Sequence, residues 1–300
     1  MKKWTKVLKW LGIGLGVLVM VLGVALGGAY AMSGARMDAH YEIAGRSFDV
    51  PSDEAAITEG RRIFMSRGCG ECHGEDARGR VLIDIPLMRI APPNLTTMAS
   101  TFSEPDWDRA VRHGVSPTGR PYVLMPAHEL WYMSDADLGR VVAYLRSLPA
   151  SPSELPANEI RLIGRVLHVL GAMPVVPAEL VDHDAPRPTP PAVAETVAYG
   201  EYLHWACINC HGEHMSGGPM PGAPEDVMGI PANLTFHETG LRGWTREDLY
   251  TLMQTGRRPD GTSVNPEHMP VRISRHYTEL EVGALYLYLR SLPERPFGER

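Results

Sequence analysis

The stretch CINCHGEHM, Cys207–Met215, holds two cysteines, two histidines and a methionine within nine residues. The first half of the chain contains a related pentapeptide, CGECH, at residues 69–73. Thiolate, imidazole and thioether groups are soft ligands, so both stretches predict metal binding or redox chemistry. What these residues bind decides how the rest of the chain must fold around them.

Three kinds of site use such residues: a zinc site, a redox dithiol, and a haem attached through two cysteines. A zinc ribbon needs its two C-x-x-C pairs about 15 to 20 residues apart, and Cys72 and Cys207 are much further apart. A thioredoxin-like dithiol lies in a strand–helix–strand pattern and gives the following histidine no role. Two C-x-x-C-H motifs therefore predict two covalently bound haem c groups.

The spacing of this motif gives each residue a role. In each copy two thiols bond to the two vinyl groups of one haem, and the next side chain points at the iron from one side. The predicted covalent ligands are Cys69, Cys72, Cys207 and Cys210, and the predicted axial ligands are His73 and His211. The chain has no other cysteine, so none remains for a structural disulfide.

A second axial ligand is expected on the other face of each iron, and methionine is usual where a haem transfers electrons. Met125 and Met269 are predicted, because each precedes proline and the two match in an internal repeat. Met215 and Met220 are excluded, since the first copy has no methionine at the matching positions and so short a loop can hardly pass around the haem edge. The alternative ligands are the nearby His128 and His268.

The internal repeat extends well beyond the two motifs. The matching segments are CGECHGEDARG at 69 with CINCHGEHMSG at 207, PPNLT at 92 with PANLT at 231, and VVAYLRSLP at 141 with ALYLYLRSLP at 284. Each copy opens and closes with a helical pattern, with N-caps predicted at Ser52, Ser134 and Thr278. The repeat therefore predicts two domains of one fold, residues 51–149 and 195–294.

Residues 150–194 join the two copies and are rich in proline, which predicts an extended, semi-rigid linker. Within them, Ile160, Ile163, Leu167 and Leu170 recur on one side of a short amphipathic helix. We expect this helix to lie against one or both copies. A contact with a membrane is the alternative, although the stretch is too short to span one.

The N-terminal residues 1–35 predict a membrane anchor. The 26 residues from Trp10 to Ala35 carry no charge, which is enough to span a bilayer as a helix. A signal peptide cleaved after AYA at residues 29–31 is the alternative, but its apolar region would be shorter. The lysines that precede the apolar run keep the N-terminus in the cytoplasm, so the rest of the chain lies on the periplasmic side of the inner membrane.

Glycines recur at a spacing of four residues along one face of this helix. They are Gly12, Gly16, Gly23 and Gly27. Such a face permits close packing against another membrane helix. The general abundance of glycine in membrane spans explains the pattern equally well.

The charge distribution limits which kinds of partner the exported part of the chain can bind. All four lysines of the chain lie in its first nine residues, and the other 25 of the 29 basic residues are arginines, against 35 acidic residues. This acidic balance argues against nucleic acid as a partner. It predicts docking through a basic patch on a redox protein.

With these motifs, residues 55–149 and 195–293 each resemble a class I cytochrome c domain, and the chain resembles the bacterial membrane-anchored dihaem cytochromes c. The resemblance rests on C-x-x-C-H, Asn-Leu-Thr, Met-Pro and the closing helix in combination. It implies an all-α fold of two tandem domains, each with three to four helices around a covalently bound haem, after one N-terminal transmembrane helix.

The resemblance also implies local contacts. The first and last helices of each domain should cross at a small residue and an aromatic: Gly60 and Phe64 against Tyr144, and Gly200 with Leu203 or His204 against Tyr288. A backbone carbonyl near Pro92 and Pro93, or near Pro231, should hold the axial histidine.

The sequence therefore predicts an electron carrier, because two irons closed by methionine offer no free site for a substrate. One alternative is a fixed cytochrome subunit of a larger oxidase or dehydrogenase. Another is a dihaem enzyme, a peroxidase or a thiosulfate dehydrogenase, which would need an iron that is open or can lose its ligand.

Overall fold

The computed structural model of the protein describes residues 2–220 and 225–300. Met1 of the predicted anchor and residues 221–224 of the second repeat lie outside the described residues. The described chain is mostly helical. Its α-helices are α1 (Lys2–Met37), α2 (Glu54–Ser66), α3 (Cys69–His73), α4 (Leu95–Met98), α5 (Glu104–Asp108), α6 (Ala127–Leu130), α7 (Asp135–Ser147), α8 (Leu162–Val169), α9 (Val197–Leu203), α10 (Trp205–His211), α11 (Glu225–Met228), α12 (Arg246–Thr255), α13 (Val271–Ser274) and α14 (Glu279–Ser291).

Shorter elements complete the chain. A π-helical turn covers Arg109–His113, and a 3-10 helix covers Pro177–Leu180. A small antiparallel sheet adds the strands β1 (Ile83–Ile85), β2 (Met88–Ile90) and β3 (Glu159–Ile160) in the order β1-β2-β3. The sheet is an addition to the predicted all-α fold.

Local side-chain caps explain where the main helices begin. The Ser134 side chain accepts a hydrogen bond from the amide of Asp137 at the start of α7, and Thr278 and Glu281 form a capping box at the start of α14, as predicted. At α2 the cap is Asp53, which accepts from the amide of Ala56. The prediction of Ser52 was wrong by one residue, because a carboxylate one step later reaches the same orphan amides.

The first and last helices of each repeat cross where the chain has a glycine. A Cβ atom on Gly60 of α2 would overlap the carbonyl oxygen of Arg140 on α7. Next to this contact the rings of Phe64 and Tyr144 lie 5.5 Å apart. The predicted crossing is confirmed for the first repeat.

The second repeat has the same crossing between α9 and α14. A Cβ atom on Gly200 would overlap the carbonyl oxygen of Ala284. Leu203 is fully buried, and the ring of His204 lies 4.8 Å from that of Tyr288. Both residues that the sequence offered for this crossing therefore take part in it.

Each repeat has its own hydrophobic core. In the first repeat the core surrounds Phe64, Trp107 and Leu138. In the second it surrounds Leu203, Leu249 and Val282. The two cores occupy corresponding parts of the internal repeat.

Residues 150–180 of the predicted linker fold onto the first repeat, contrary to the prediction, whereas residues 181–194 form no helix or strand and contain no buried residue. The strand β3 pairs with β2, and Val175, Val176 and Ala178 are buried in a third cluster with Met88 and Val115. The apolar residues between the prolines therefore fold onto the first repeat, because burial there removes them from water.

The predicted amphipathic helix also differs from its prediction. Ile160 belongs to β3, Ile163 in α8 is 58% exposed, and Leu170, which follows α8, is 73% exposed. The buried side of α8 carries Gly164 and His168. Gly164 lies against the carbonyl of Leu87 in the first repeat, as predicted, and His168 lies against Ser33 at the end of α1.

The helix α1 is exposed along its apolar length, and its buried residue near the end is Ser33. Among the described residues, one helix is long and apolar enough to cross a membrane: the part of α1 from Trp4 to Met37. It extends two residues beyond the predicted end of the anchor.

Candidate functional site

The first C-x-x-C-H motif forms a helical turn of its own, α3. Gly68 before it and Gly74 after it have φ angles of 75° and 82°, a region that glycine enters without steric cost. These two glycines let the chain turn sharply into and out of α3. The turn places both cysteines and the histidine of the motif beside one cavity.

The cysteine thiols are free and lie partly buried. Desolvation raises the pKa of Cys69 to about 12 and that of Cys207 to about 11. Because the attacking cysteine of a redox dithiol has a lowered pKa, these surroundings do not suit that alternative. Both thiols are protonated at neutral pH.

His73 is buried and is held by the backbone. Its Nδ1 lies 2.9 Å from the carbonyl oxygen of Pro93, so Nδ1 carries the proton and donates it. Burial lowers the pKa of His73, which keeps the ring neutral. The remaining nitrogen, Nε2, then presents a lone pair, which is the form in which histidine binds a metal.

His211 has the same environment in the second repeat. Its Nδ1 lies 2.8 Å from the carbonyl oxygen of Ala232, and burial again lowers its pKa. The carbonyl was predicted near Pro92 and Pro93 in the first repeat, and it belongs to Pro93. In the second repeat it belongs to the residue after the predicted Pro231.

An apolar cavity of about 320 Å³ opens beside α3. Cys69, Cys72 and His73 line it together with Met125. The rest of the wall is mainly hydrophobic, including Phe64, Ile90, Leu95, Trp107, Leu138 and Leu145. The structure therefore brings together all four of the site residues that the sequence predicted in the first repeat.

The two predicted methionines share one backbone arrangement. The amide of Ala127 donates to the carbonyl of Met125 at 2.7 Å, and the amide of Val271 donates to that of Met269 at 2.8 Å. Each Met-Pro pair leads directly into a one-turn helix, α6 or α13. The matching turns show that the sequence repeat is also a structural repeat here.

The other candidate ligands have different surroundings. Met215 is fully buried in the core of the second repeat, and His214 is exposed. His268 is exposed, whereas burial lowers the pKa of His128. Met133 is buried in the first core.

Comparison with known proteins adds a family to this geometry. Residues 57–149 match the sequence model of the family Cytochrome c. This segment is a cytochrome c domain. Such a domain implies haem c. A zinc site would instead need about four ligands placed around one ion. In the described parts of the chain, no group of three or more His, Cys, Asp and Glu side chains is placed to hold a metal ion.

Several curated relatives align with most of the chain. It is 27% identical over 276 residues to the cytochrome c subunit of alcohol dehydrogenase (quinone) of Gluconacetobacter polyoxogenes, covering 82% of this chain and 58% of that protein. It is 21% identical over 273 residues to the fructose dehydrogenase cytochrome subunit of Gluconobacter japonicus, covering 80% and 53%. The chain thus spans a little over half the length of these relatives.

The residues of the cytochrome c domain fit the implied haem. The macrocycle of a haem is apolar, and the cavity that would receive it has an apolar wall. Two free thiols and a neutral imidazole, positioned by a carbonyl, lie on one side of that space. These are the donors that a covalently bound haem c needs.

Sequence reasoning missed the residues between the two motifs. Glu71 in the first motif accepts a hydrogen bond from Arg272 of the second repeat, and Asn209 in the second motif bonds to Glu129 of the first repeat. The two C-x-x-C-H segments therefore face one another across the contact between the repeats.

Aromatic residues close the same contact. The rings of Tyr132 and Trp205 stack with centroids 3.8 Å apart and planes 8° apart. The guanidinium of Arg67 lies 5.9 Å from the ring centre of Tyr277. Arg67 and Trp205 occupy matching positions before the two motifs, so a difference between otherwise similar copies was the signal in the sequence.

The contact is also held by equivalent acids at the caps of the two closing helices. Asp137 accepts from the hydroxyl of Tyr202 at 2.6 Å, and Glu281 accepts from Arg62 at 2.6 Å. Each acid is the third residue of its helix, and each donor comes from the opposite repeat. The repeats therefore meet through an approximately two-fold arrangement of side chains.

Proposed function

We propose that this chain is a dihaem cytochrome that transfers electrons as the cytochrome subunit of a membrane-bound dehydrogenase. The observation that carries the proposal is the matched environment of His73 and His211, each buried and each bonded through Nδ1 to a carbonyl. The relatives' names, cytochrome subunits of dehydrogenases, favour the subunit over a free carrier.

The proposed second cytochrome c domain is residues 195–294, beside the first at 51–149. Alignment with the relatives covers 82% of the chain, which is more than the first repeat alone can supply. The helix crossing, the histidine carbonyl and the Met-Pro turn recur in both repeats. These shared features support two haem c groups.

The proposed roles follow the geometry. Cys69, Cys72, Cys207 and Cys210 attach the two haems, His73 and His211 bind the irons from one side, and Met125 and Met269 bind them from the other. Haem c supplies a one-electron couple when it is bound. The chain's own contribution is to hold the imidazoles neutral, to exclude water with an apolar wall, and to fix the two sites against each other.

The proposed location is the periplasmic face of the inner membrane, with α1 as an uncleaved anchor. The lysines before the apolar run and the exposure of its side chains support this placement. Among the residues that the structure describes, none outside α1 lies within 4 Å of a Cβ placed on Gly12, Gly16, Gly23 or Gly27, so this face can pack on a helix of a partner subunit.

Haem content tests the proposal directly. The purified chain should carry two haems that remain attached after denaturation. Replacing Cys69 and Cys72 by alanine, or Cys207 and Cys210 by alanine, should leave one haem in each case. A count of one in the unaltered chain would contradict the second site.

Isolation in mild detergent tests the assignment to a complex. A dehydrogenase subunit should co-purify with the chain and should reduce its haems when its substrate is added. Reduction should slow as salt rises, because docking of the acidic cytochrome to a basic patch is electrostatic. A chain isolated alone and reduced at a salt-independent rate would favour a free carrier that docks in another way.

A further inference from the structure

The helix α8 joins the cytochrome to the end of the anchor. His168 Nδ1 lies 3.0 Å from the hydroxyl of Ser33, and Arg36 donates to the carbonyl of His168 at 3.1 Å. The guanidinium of Arg165 lies 4.0 Å from the ring centre of Tyr30. These contacts fix α8 against the last turns of α1, at the point where the anchor leaves its apolar run.

The remaining side of α8 is apolar and uncovered. Leu162 and Ile163 in its first turn are 43% and 58% exposed. Ile85 at the tip of the β1–β2 hairpin is 44% exposed, and Arg161 at the start of α8 bonds to the carbonyl of this residue. Ile85, Leu162 and Ile163 therefore form one surface, called here the α8 patch.

The level of the α8 patch along the anchor follows from the contacts. Arg165 meets Tyr30, and His168 meets Ser33 and Arg36, so α8 and α1 advance in the same direction. The first turn of α8 precedes Arg165 by roughly 3 to 5 Å at 1.5 Å per residue. The α8 patch thus lies level with Tyr30 or with the apolar residues before it.

That level is the boundary of the bilayer. About 20 apolar residues cross the hydrocarbon core, so a span that starts near Trp10 reaches its outer side near Tyr30. Tyrosine is typical of this interface, and Arg36 is the first charged residue after the run. Arg165, which stacks on Tyr30, can keep its aliphatic stem in the apolar zone and its guanidinium at the level of the lipid phosphates.

We infer that the α8 patch inserts into the outer leaflet of the membrane that holds α1. Its occupant is lipid because the patch continues the exposed apolar surface of the anchor at the same depth, and an apolar helical face at an interface binds there. The inference rests on the proposed anchoring by α1. The patch makes the anchor a two-point attachment and sets the orientation of the first repeat toward the membrane.

A nitroxide at position 163 tests the inference. The chain Ile163→Cys is labelled and placed alone in nanodiscs of phosphatidylethanolamine and phosphatidylglycerol. The control is Leu280→Cys on α14, a leucine of the second repeat that is 37% exposed. Relaxation by oxygen, compared with relaxation by a water-soluble nickel complex, should be severalfold greater at 163 than at 280. Equal ratios at the two positions would overturn the inference. They are also the result expected if protein, and not lipid, covers the α8 patch.

The parent chain without the Ile163→Cys substitution separates this test from the test of function. If haem occupies its four cysteines, they do not react with the label. That result does not depend on the depth of position 163. A second measurement uses Leu162→Asp/Ile163→Asp with Leu280→Asp as the control, each with unchanged haem content. Polarised absorption of oriented membranes should show a broader distribution of haem-plane angles only in the double variant, and an unchanged distribution would contradict the inference.

Discussion

The proposed methionine ligands should determine the reduction potentials of the irons. Met125→Ala and Met269→Ala should each lower the reduction potential of one haem, because thioether ligation raises it. Each should also remove the methionine-to-iron charge-transfer band of that haem from the visible spectrum. A redox titration followed by absorption measures both changes.

Met220→Ala is the matched control for these variants, since Met220 lies near the second motif but was excluded as a ligand. It should leave the spectrum and both potentials unchanged. An unchanged charge-transfer band in Met269→Ala would show that another side chain binds the second iron, with His268 as the next candidate.

Asp108 is a second residue for which a measurable effect is expected, here on the stability of the chain. Asp108 and Arg112 are almost fully buried and lie 2.6 Å apart, and Arg187 also reaches this carboxylate. Asp108→Ala should destabilise the chain by about 3–5 kcal/mol, because it removes the buried carboxylate that Arg112 and Arg187 share. Chemical denaturation measures the loss.

Asp135 supplies the control for Asp108. It also pairs with Arg112, at 2.7 Å, but its side chain is 53% exposed. Asp135→Ala should cost less than about 1 kcal/mol, since exposed ion pairs contribute little. Equal losses in the two variants would show that burial does not determine the strength of this pair.

At the scale of elements, the glycine crossings are the most constrained contacts in both repeats. Gly60→Ala and Gly200→Ala should each cost about 1–3 kcal/mol or more, because the added methyl group meets a backbone carbonyl that cannot move aside. Thermal unfolding should show a lower midpoint in both variants.

Gly283→Ala on α14 is the comparison for these crossings. The three atoms nearest to an added Cβ there all belong to the carboxylate of Glu195, a flexible side chain that can rotate away. Its midpoint should fall less than that of Gly200→Ala. A larger fall would mean that side-chain contacts, and not the backbone approach, limit the helix crossing.

Sequence patterns predicted those elements whose signal is local. The caps at Ser134 and Thr278 depend on neighbouring residues and were found. The crossings at Gly60 and Gly200 join helices that are distant in the chain, and they followed from the family resemblance. Helical periodicity identified an apolar face on α8 but not what lies against it. The buried face proved to be the one with Gly164 and His168, because the choice depends on Leu87 and Ser33, which are distant in the chain.

At the scale of the whole molecule, contact between the repeats was beyond the reach of the motifs. The repeat predicted two similar units, but it contains no information on how they meet. Arg67 and Trp205 differ between the copies because they face each other's repeat, not their own core. The proline-rich segment misled the prediction in the same way, since its valines are buried by distant strands.

The stacked pair of Tyr132 and Trp205 should stabilise this contact. A double-mutant cycle with Tyr132→Ala and Trp205→Ala should give a coupling energy of about 0.5–1.5 kcal/mol, as is typical of aromatic pairs. Chemical denaturation of the four proteins measures it. Arg242→Ala, which removes only exposed ion pairs, is the control. A coupling near zero would show that the ring stack adds nothing to the contact.

The approximately two-fold contact, with Asp137 and Glu281 each bound by the opposite repeat, also bears on the speed of internal exchange. Two cytochrome domains joined by a flexible linker must collide before an electron passes between them. A more viscous solvent therefore slows that electron transfer. Here both attachment turns are already held face to face, and no diffusive search is required. Exchange between the two proposed haems should therefore be insensitive to added glycerol, whereas delivery from a separate donor should slow with viscosity.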